Sequence, residues 1–278
     1  MNIQEACITL EVSPSGYYAH QHKDQRPRRT QDASLTLKIS EAFAASRRTY
    51  GSPRIMHTLR QEGDHHGKNR IARLMRLQGL RVQQKRRFVP RTTLADKDSP
   101  VAPNHLLKRP EATRTNEVWL TDITYLPTGE GFLYLAAELD LYSRRIIGWS
   151  THTSLATELT TQALERALQA RPEATLPELL HHSDRGCQYT STTFRNRLSM
   201  CQITQSMSRK GNCYDNAAME SFWATLKAEC FGSMIPATRA QAHLMVFDYI
   251  ETFYNPVRLH SALGFKSPVD FEKAIQQN

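Results

Sequence analysis

Between residues 118 and 226 the hydrophobic period switches back and forth between two and 3.6, and this alternation restricts the fold more than any other feature. Val118 to Leu126 reads as a strand, with Val118, Leu120, Asp122 and Thr124 on one face. Thr128-Gly129-Glu130-Gly131 is a turn, Phe132 to Asp140 a second apolar strand, Tyr142-Ser143 another turn, and Arg145 to Trp149 a third strand. Short turns between consecutive strands make an antiparallel meander. A helical pattern over Leu155 to Ala170 then leads to a strand at Leu179-Leu180, a helix near Ser191 to Ser199, a short strand at Ile203 to Gln205, and a helix around Glu220. That order specifies an α/β domain with a mixed sheet.

The region before it has a different character. The chain carries a net charge of +9, and residues 1–110 hold 21 Lys and Arg against 9 Asp and Glu. A basic segment joined to a near-neutral one suits a polyanionic partner bound through phosphate contacts; a merely solvated surface is the alternative. Ser34 to Ala45 places Leu35, Ile39, Ala42 and Phe43 on one helical face. Ser52-Pro53 opens a second helix, with Ser52 as the expected N-cap and Ile55, Met56 and Leu59 inward. After a turn at Gly63 to Gly67, a third helix carries Ile71, Leu74 and Met75 inward and Arg70, Arg73 and Arg76 on its other faces. Two short helices around a tight turn, the second rich in arginine, form a helix-turn-helix pattern suited to DNA. Ala6 to Tyr18 reads as a further small helical hairpin. The expected division is a helical, basic region over 1–95, a proline-bearing linker over 96–112, and the α/β domain over 113–278 with C-terminal helices opening at Thr238 and Ser267.

Five cysteines without a C-x-x-C pair argue against a disulfide framework or a zinc knuckle. No apolar run is long enough for a membrane span, and Met1 to Glu5 lacks the features of a secretion signal. The cytoplasm, in association with the nucleoid, is the expected compartment.

Three carboxylates stand out. Asp122 lies on an apolar strand face, where an unpartnered acid is costly. Asp184 ends the Leu179 to Ser183 run, and Glu220 sits beside the Met219, Phe222, Trp223 and Leu226 stripe of its helix. Acids on three separate elements can hold hard divalent cations, which take oxygen ligands and activate phosphodiesters; single solvated acids are the alternative. His181 and His182 lack further N or S ligands at zinc spacing. Ser208 to Asn212 is a polar loop whose Arg209 and Lys210 suit phosphates, or simply solvent.

Several ordered strings are similar to one family. They are Trp119 to Tyr125 (WLTDITY), Asp140 to Trp149 (DLYSRRIIGW), His181 to Gly186 (HHSDRG), Ser206 to Ala217 (SMSRKGNCYDNA) and Tyr254 to His260 (YNPVRLH). Together with the Tyr50 to Leu80 segment they resemble the second-frame (OrfB) transposases of bacterial insertion sequences, which in turn resemble retroviral integrases. The resemblance implies a ribonuclease-H-like catalytic domain preceded by the all-α helix-turn-helix domain. It implies a DDE triad of Asp122, Asp184 and Glu220 binding two Mg2+, with Mn2+ as a substitute. Such a polynucleotidyl transferase and endonuclease cleaves DNA 3′ ends and transfers strands, with Lys227 at the transposon end. Double-stranded DNA (transposon ends and target), further copies of the chain on DNA, and the upstream-frame OrfA product, joined by frameshifting, are the implied partners; a membrane is not. A non-catalytic DNA-binding regulator and another ribonuclease-H-like nuclease are the competing readings.

Overall fold

A computed structural model describes residues 2–21, 27–82, 102–108, 111–171, 178–208 and 216–277. The chain divides into two compact units, residues 1–82 and 83–278. The boundary expected at 95 lies outside the described residues, as do residues 96–101 and 109–110 of the expected 96–112 linker.

In the first unit, α1 (Ile3–Thr9) and α2 (Pro14–Gln21) form the small hairpin, and α3 (Pro27–Ala45), α4 (Ser52–Gln61) and α5 (Lys68–Leu77) pack on one another. Their shared core is Leu35, Ile39, Phe43, Ile55, Leu59, Ile71, Leu74 and Met75, all buried. Ser52 is not the N-cap of α4. Gly51 takes that place in extended backbone, Ser52 is the first helical residue, and no side chain caps the helix. Gly63, in the α4–α5 turn, has φ +88°, a conformation that glycine adopts without strain.

The second unit is built on one five-stranded sheet in the order β3-β2-β1-β4-β5: β1 (Val118–Thr128), β2 (Gly131–Asp140), β3 (Ile146–His152), β4 (Leu180–Ser183) and β5 (Thr204–Met207). β1, β2 and β3 are the antiparallel meander, and β4 and β5 run parallel to β1. Asp140 shapes the β2–β3 turn, accepting bonds from the Asn116, Tyr142 and Ser143 amides at 2.6, 3.0 and 2.9 Å. Between β3 and β4 lies α6 (Thr157–Ala170); α7 (Cys187–Thr190) and α8 (Thr192–Met200) separate β4 from β5. The helix α9 (Ala217–Leu226) continues as a π-helical turn over Lys227–Phe231, and α10 (Arg239–Phe247) widens the same way over Asp248–Tyr254. Thr238 caps α10, accepting from Gln241 N, and Ser267 caps the final helix α11 (Pro268–Gln276), accepting from Asp270 N, as the sequence leads one to expect.

Trp119, Leu164, Leu179, Tyr189, Phe194, Leu198 and Met207 form a core between the sheet and α6 to α8. Thr121 meets Tyr189 of α7 at 3.2 Å, while its neighbour Asp122 meets Trp223 of α9 at 3.0 Å. Adjacent strand residues point to opposite faces, so α7 and α9 cover opposite sides of β1. The outer strands are occupied too. Pro103 O accepts from Met207 N at 3.4 Å and His105 N donates to Ser206 Oγ at 3.0 Å, which fastens this piece of the expected linker along β5. At β3, the Asn255 carboxamide accepts from Ile146 N at 3.0 Å and donates to Ile146 O at 2.9 Å.

Candidate active site

β1 and β4 are parallel, with Val118 beside Leu180, Trp119 beside His181 and Leu120 beside His182. Carried two residues further, this register sets Asp122 against Asp184. Asp184 follows the last residue of β4, and in-register residues of parallel strands share a face. Asp122 is half-buried. Burial first, and then the charge of Asp184, drive its carboxyl up to about 7; Glu220 adds a smaller push in the same direction. Two protein donors oppose the rise: Ile123 N on Oδ1 at 2.8 Å and Trp223 Nε1 on Oδ2 at 3.0 Å. Asp184 turns the chain after β4, its Oδ1 accepting from Gly186 N at 2.9 Å.

Glu220 comes from the first turn of α9 and is exposed at the rim. The charge of Asp184 thus acts on Asp122 more strongly than that of the exposed Glu220. Among the described residues no three His, Cys, Asp or Glu side chains form a ready-made metal cage. The donor set nevertheless fits a hard cation. Two carboxylates forced together on one face are relieved by positive charge, and Mg2+ uses one or two carboxylates, completing its shell with water and phosphate oxygens.

Lys227 follows α9 with its ammonium 5.1 Å from the centre of the Tyr125 ring, a cation–π contact. Burial lowers its pKa, and the charge of Asp122 works against that. His181 and His182 are fully buried structural residues: His181 Nε2 lies 2.9 Å from Glu138 Oε2, and His182 Nδ1 lies 2.9 Å from Ser206 Oγ. Arg209 and Lys210 lie outside the described residues. In the first unit, Arg70 and Arg73 both bond Asp32 of α3, Arg70 Nε at 2.8 Å and Arg73 through its terminal nitrogen at 2.5 Å, while Arg76 is exposed.

Residues 112–213 and 201–268 match integrase core domains, and residues 30–88 match an HTH-like domain. The chain is 42% identical over 272 residues to the insertion element IS600 31 kDa protein of Shigella sonnei, covering 98% of both. It is 38% identical over 273 residues to transposase InsF of IS3A from Escherichia coli, covering 98% of this chain and 94% of that one. The chain belongs to the OrfB transposases of bacterial insertion sequences. It is thus a DDE transposase with a ribonuclease-H-like core, a helix-turn-helix region and DNA as its partner. The HTLV-2 integrase catalytic core domain, solved in complex with magnesium, overlaps this transposase at a TM-score of 0.41 with 13% identity, over 56% of this chain and 96% of that one.

The sequence places Trp223 in the buried stripe of α9 and carries no sign of its bond to Asp122. A stripe position gives no hint of an indole N–H, although the three-residue spacing from Glu220 puts the two side chains on adjacent positions of one helical turn. Nor does the sequence mark Tyr189. Its hydroxyl is held well above the usual tyrosine range by burial and by the charges of Asp122 and Asp184.

Proposed function

We propose that this transposase cleaves DNA 3′ ends at the termini of its insertion sequence and transfers them to target DNA, with Asp122, Asp184 and Glu220 as the acids that hold divalent metal. The observation that carries this reading is the parallel β1–β4 register, which juxtaposes Asp122 and Asp184 closely enough for one charge to raise the other's pKa. Two Mg2+ ions, replaceable by Mn2+, complete the site. When bound, such ions supply Lewis acidity at phosphoryl oxygens and lower the pKa of water.

The chain's own groups do the rest. Asp122 presents the lone pairs that Ile123 N and Trp223 Nε1 leave open, and Asp184, at the turn after β4, presents its carboxylate beside it. Glu220, at the exposed start of α9, closes the site once DNA is present. Lys227 holds a phosphate of the transposon end, and Arg209 and Lys210 of the loop before α9 hold flanking phosphates. Water and then the freed 3′-hydroxyl attack the phosphodiester, with no covalent protein intermediate. The region assigned to residues 1–95, through Arg70, Arg73 and Arg76, grips duplex DNA, and residues 96–112 link it to the catalytic domain at 113–278. Several copies act together on DNA, alongside the upstream-frame OrfA product or fused to it, in the cytoplasm at the nucleoid.

Asp184→Asn tests the reading. It should abolish Mg2+-dependent nicking and strand transfer of a terminal-repeat substrate and leave salt-sensitive DNA binding within about twofold of wild type, since that binding rests on phosphate contacts made elsewhere. Cleavage at the wild-type rate would remove Asp184 from the chemistry.

A further inference from the structure

We propose that Trp223 is a positioning residue for Asp122: its indole N–H sets the orientation of the carboxylate and keys α9, and with it Glu220, to β1. The inference rests on the metal-binding reading above and concerns a residue with no part in the chemistry itself.

Three observations carry it. Trp223 Nε1 donates to Asp122 Oδ2 at 3.0 Å while Ile123 N donates to Oδ1 at 2.8 Å, so each oxygen has one fixed donor. A carboxylate offers about four acceptor positions, and two therefore remain for a cation, in directions the donors dictate. Second, the indole cannot turn away. Trp223 is 6% exposed, its ring packs on Phe222 at 4.8 Å, and Phe222 stands edge-on to Tyr254 at 4.9 Å. Third, Glu220 and Trp223 are three residues apart on α9, so a single helical turn presents one acid and clamps another.

The indole suits this task. Its N–H is a donor only, does not titrate near neutrality, and has no lone pair that would compete for the metal. A histidine or lysine at the same place would bring a charge that opposes cation entry. Groups that orient metal ligands from behind commonly govern affinity by about 10- to 100-fold.

The test uses the full chain and Mn2+ as the probe. Trp223→Phe keeps a ring for the Phe222 contact and deletes the donor. Mn2+ affinity, measured by calorimetry on the folded variant, should fall about tenfold or more. A role confined to packing would lower the melting temperature and leave the affinity of the folded protein unchanged, and that result overturns the proposal. Should the variant not fold, 15N-tryptophan labelling of the wild type decides instead. The chain has three tryptophans. Titration with diamagnetic Mg2+ should shift one indole N–H resonance, and Asp122→Asn should displace that same resonance. Mg2+ binding that moves no indole signal refutes the proposal. Metal binding that depends on Asp184 but not on Trp223 sinks only the role of Trp223. Absence of any Asp184-dependent binding sinks the metal site and this proposal together.

Discussion

Replacing Asp122 with Asn removes a charge that the metal-free protein holds at a cost, and the cost depends on pH in a calculable way. The ordinary carboxyl titrates at 3.8 and Asp122 at about 7. Below pH 3.8 the group is neutral both folded and unfolded, and the stability it contributes is whole. Between 3.8 and 7 the unfolded chain releases the proton and the folded chain keeps it, so stability falls as pH rises. Above 7 both forms are ionised and the loss is complete. Each pH unit of that interval is worth roughly 1.4 kcal/mol, which sets a ceiling of about 4 kcal/mol. Asp122 keeps part of its surface open to water, so screening reduces the expected loss to about 1–2 kcal/mol.

The amide also disturbs the bonds to Ile123 N and Trp223 Nε1, at a cost of about 1 kcal/mol that is the same at every pH. Comparison across pH cancels it. Thermal unfolding of wild type and Asp122→Asn in EDTA, at pH 5 and pH 8, should show the variant gaining on wild type by about 1 kcal/mol, or roughly 2–4 °C in Tm, between the two pH values. Adding Mg2+ at pH 8 should restore the wild type selectively, because the cation binds the ionised carboxylate of the folded state. A stability difference that stays constant from pH 5 to pH 8 refutes the argument that Asp122 is held ionised against its surroundings.

Two further outcomes follow from close contacts. A Cβ built on Gly148 of β3 would meet Ala163 O at 2.3 Å and Ala167 N at 2.5 Å; Gly148→Ala should therefore push α6 off the sheet and cost about 1–3 kcal/mol by denaturant unfolding, and an unchanged midpoint would show that the helix yields freely. In the first unit Asp32 holds both Arg70 and Arg73. Asp32→Asn should release them to phosphates and steepen the log–log salt dependence of DNA binding by about 1 to 2, and an unaltered slope would place the DNA elsewhere.

Local signals in the sequence were enough for much of the architecture. Period-two runs marked β1 and β2 to within a few residues, and Thr238 and Ser267 announced α10 and α11 through side chains that cap their own helices. At Ser52 the same logic picked the wrong residue, because a glycine in extended backbone can precede a helix without any side-chain bond. The π-helical turns after α9 and α10 are illegible, since five and seven residues are too few for the wider i→i+5 spacing to establish a period of its own. In the site, the acids were visible as acids. Their partners were not: Trp223 on Asp122, Glu138 on His181 and Asp32 on Arg70 and Arg73 are pairings across the fold, and no local pattern encodes them.

The Asn255 carboxamide treats Ile146 as a neighbouring strand would, offering one acceptor and one donor to the same residue. A side chain thus stands in for a sixth strand where β3 begins. An exposed edge is where a sheet recruits another chain, and here the first rung is already taken by the protein's own C-terminal segment. A strand arriving from another chain would find the first donor and acceptor of this edge already spent, so the sheet is closed to extension where β3 begins.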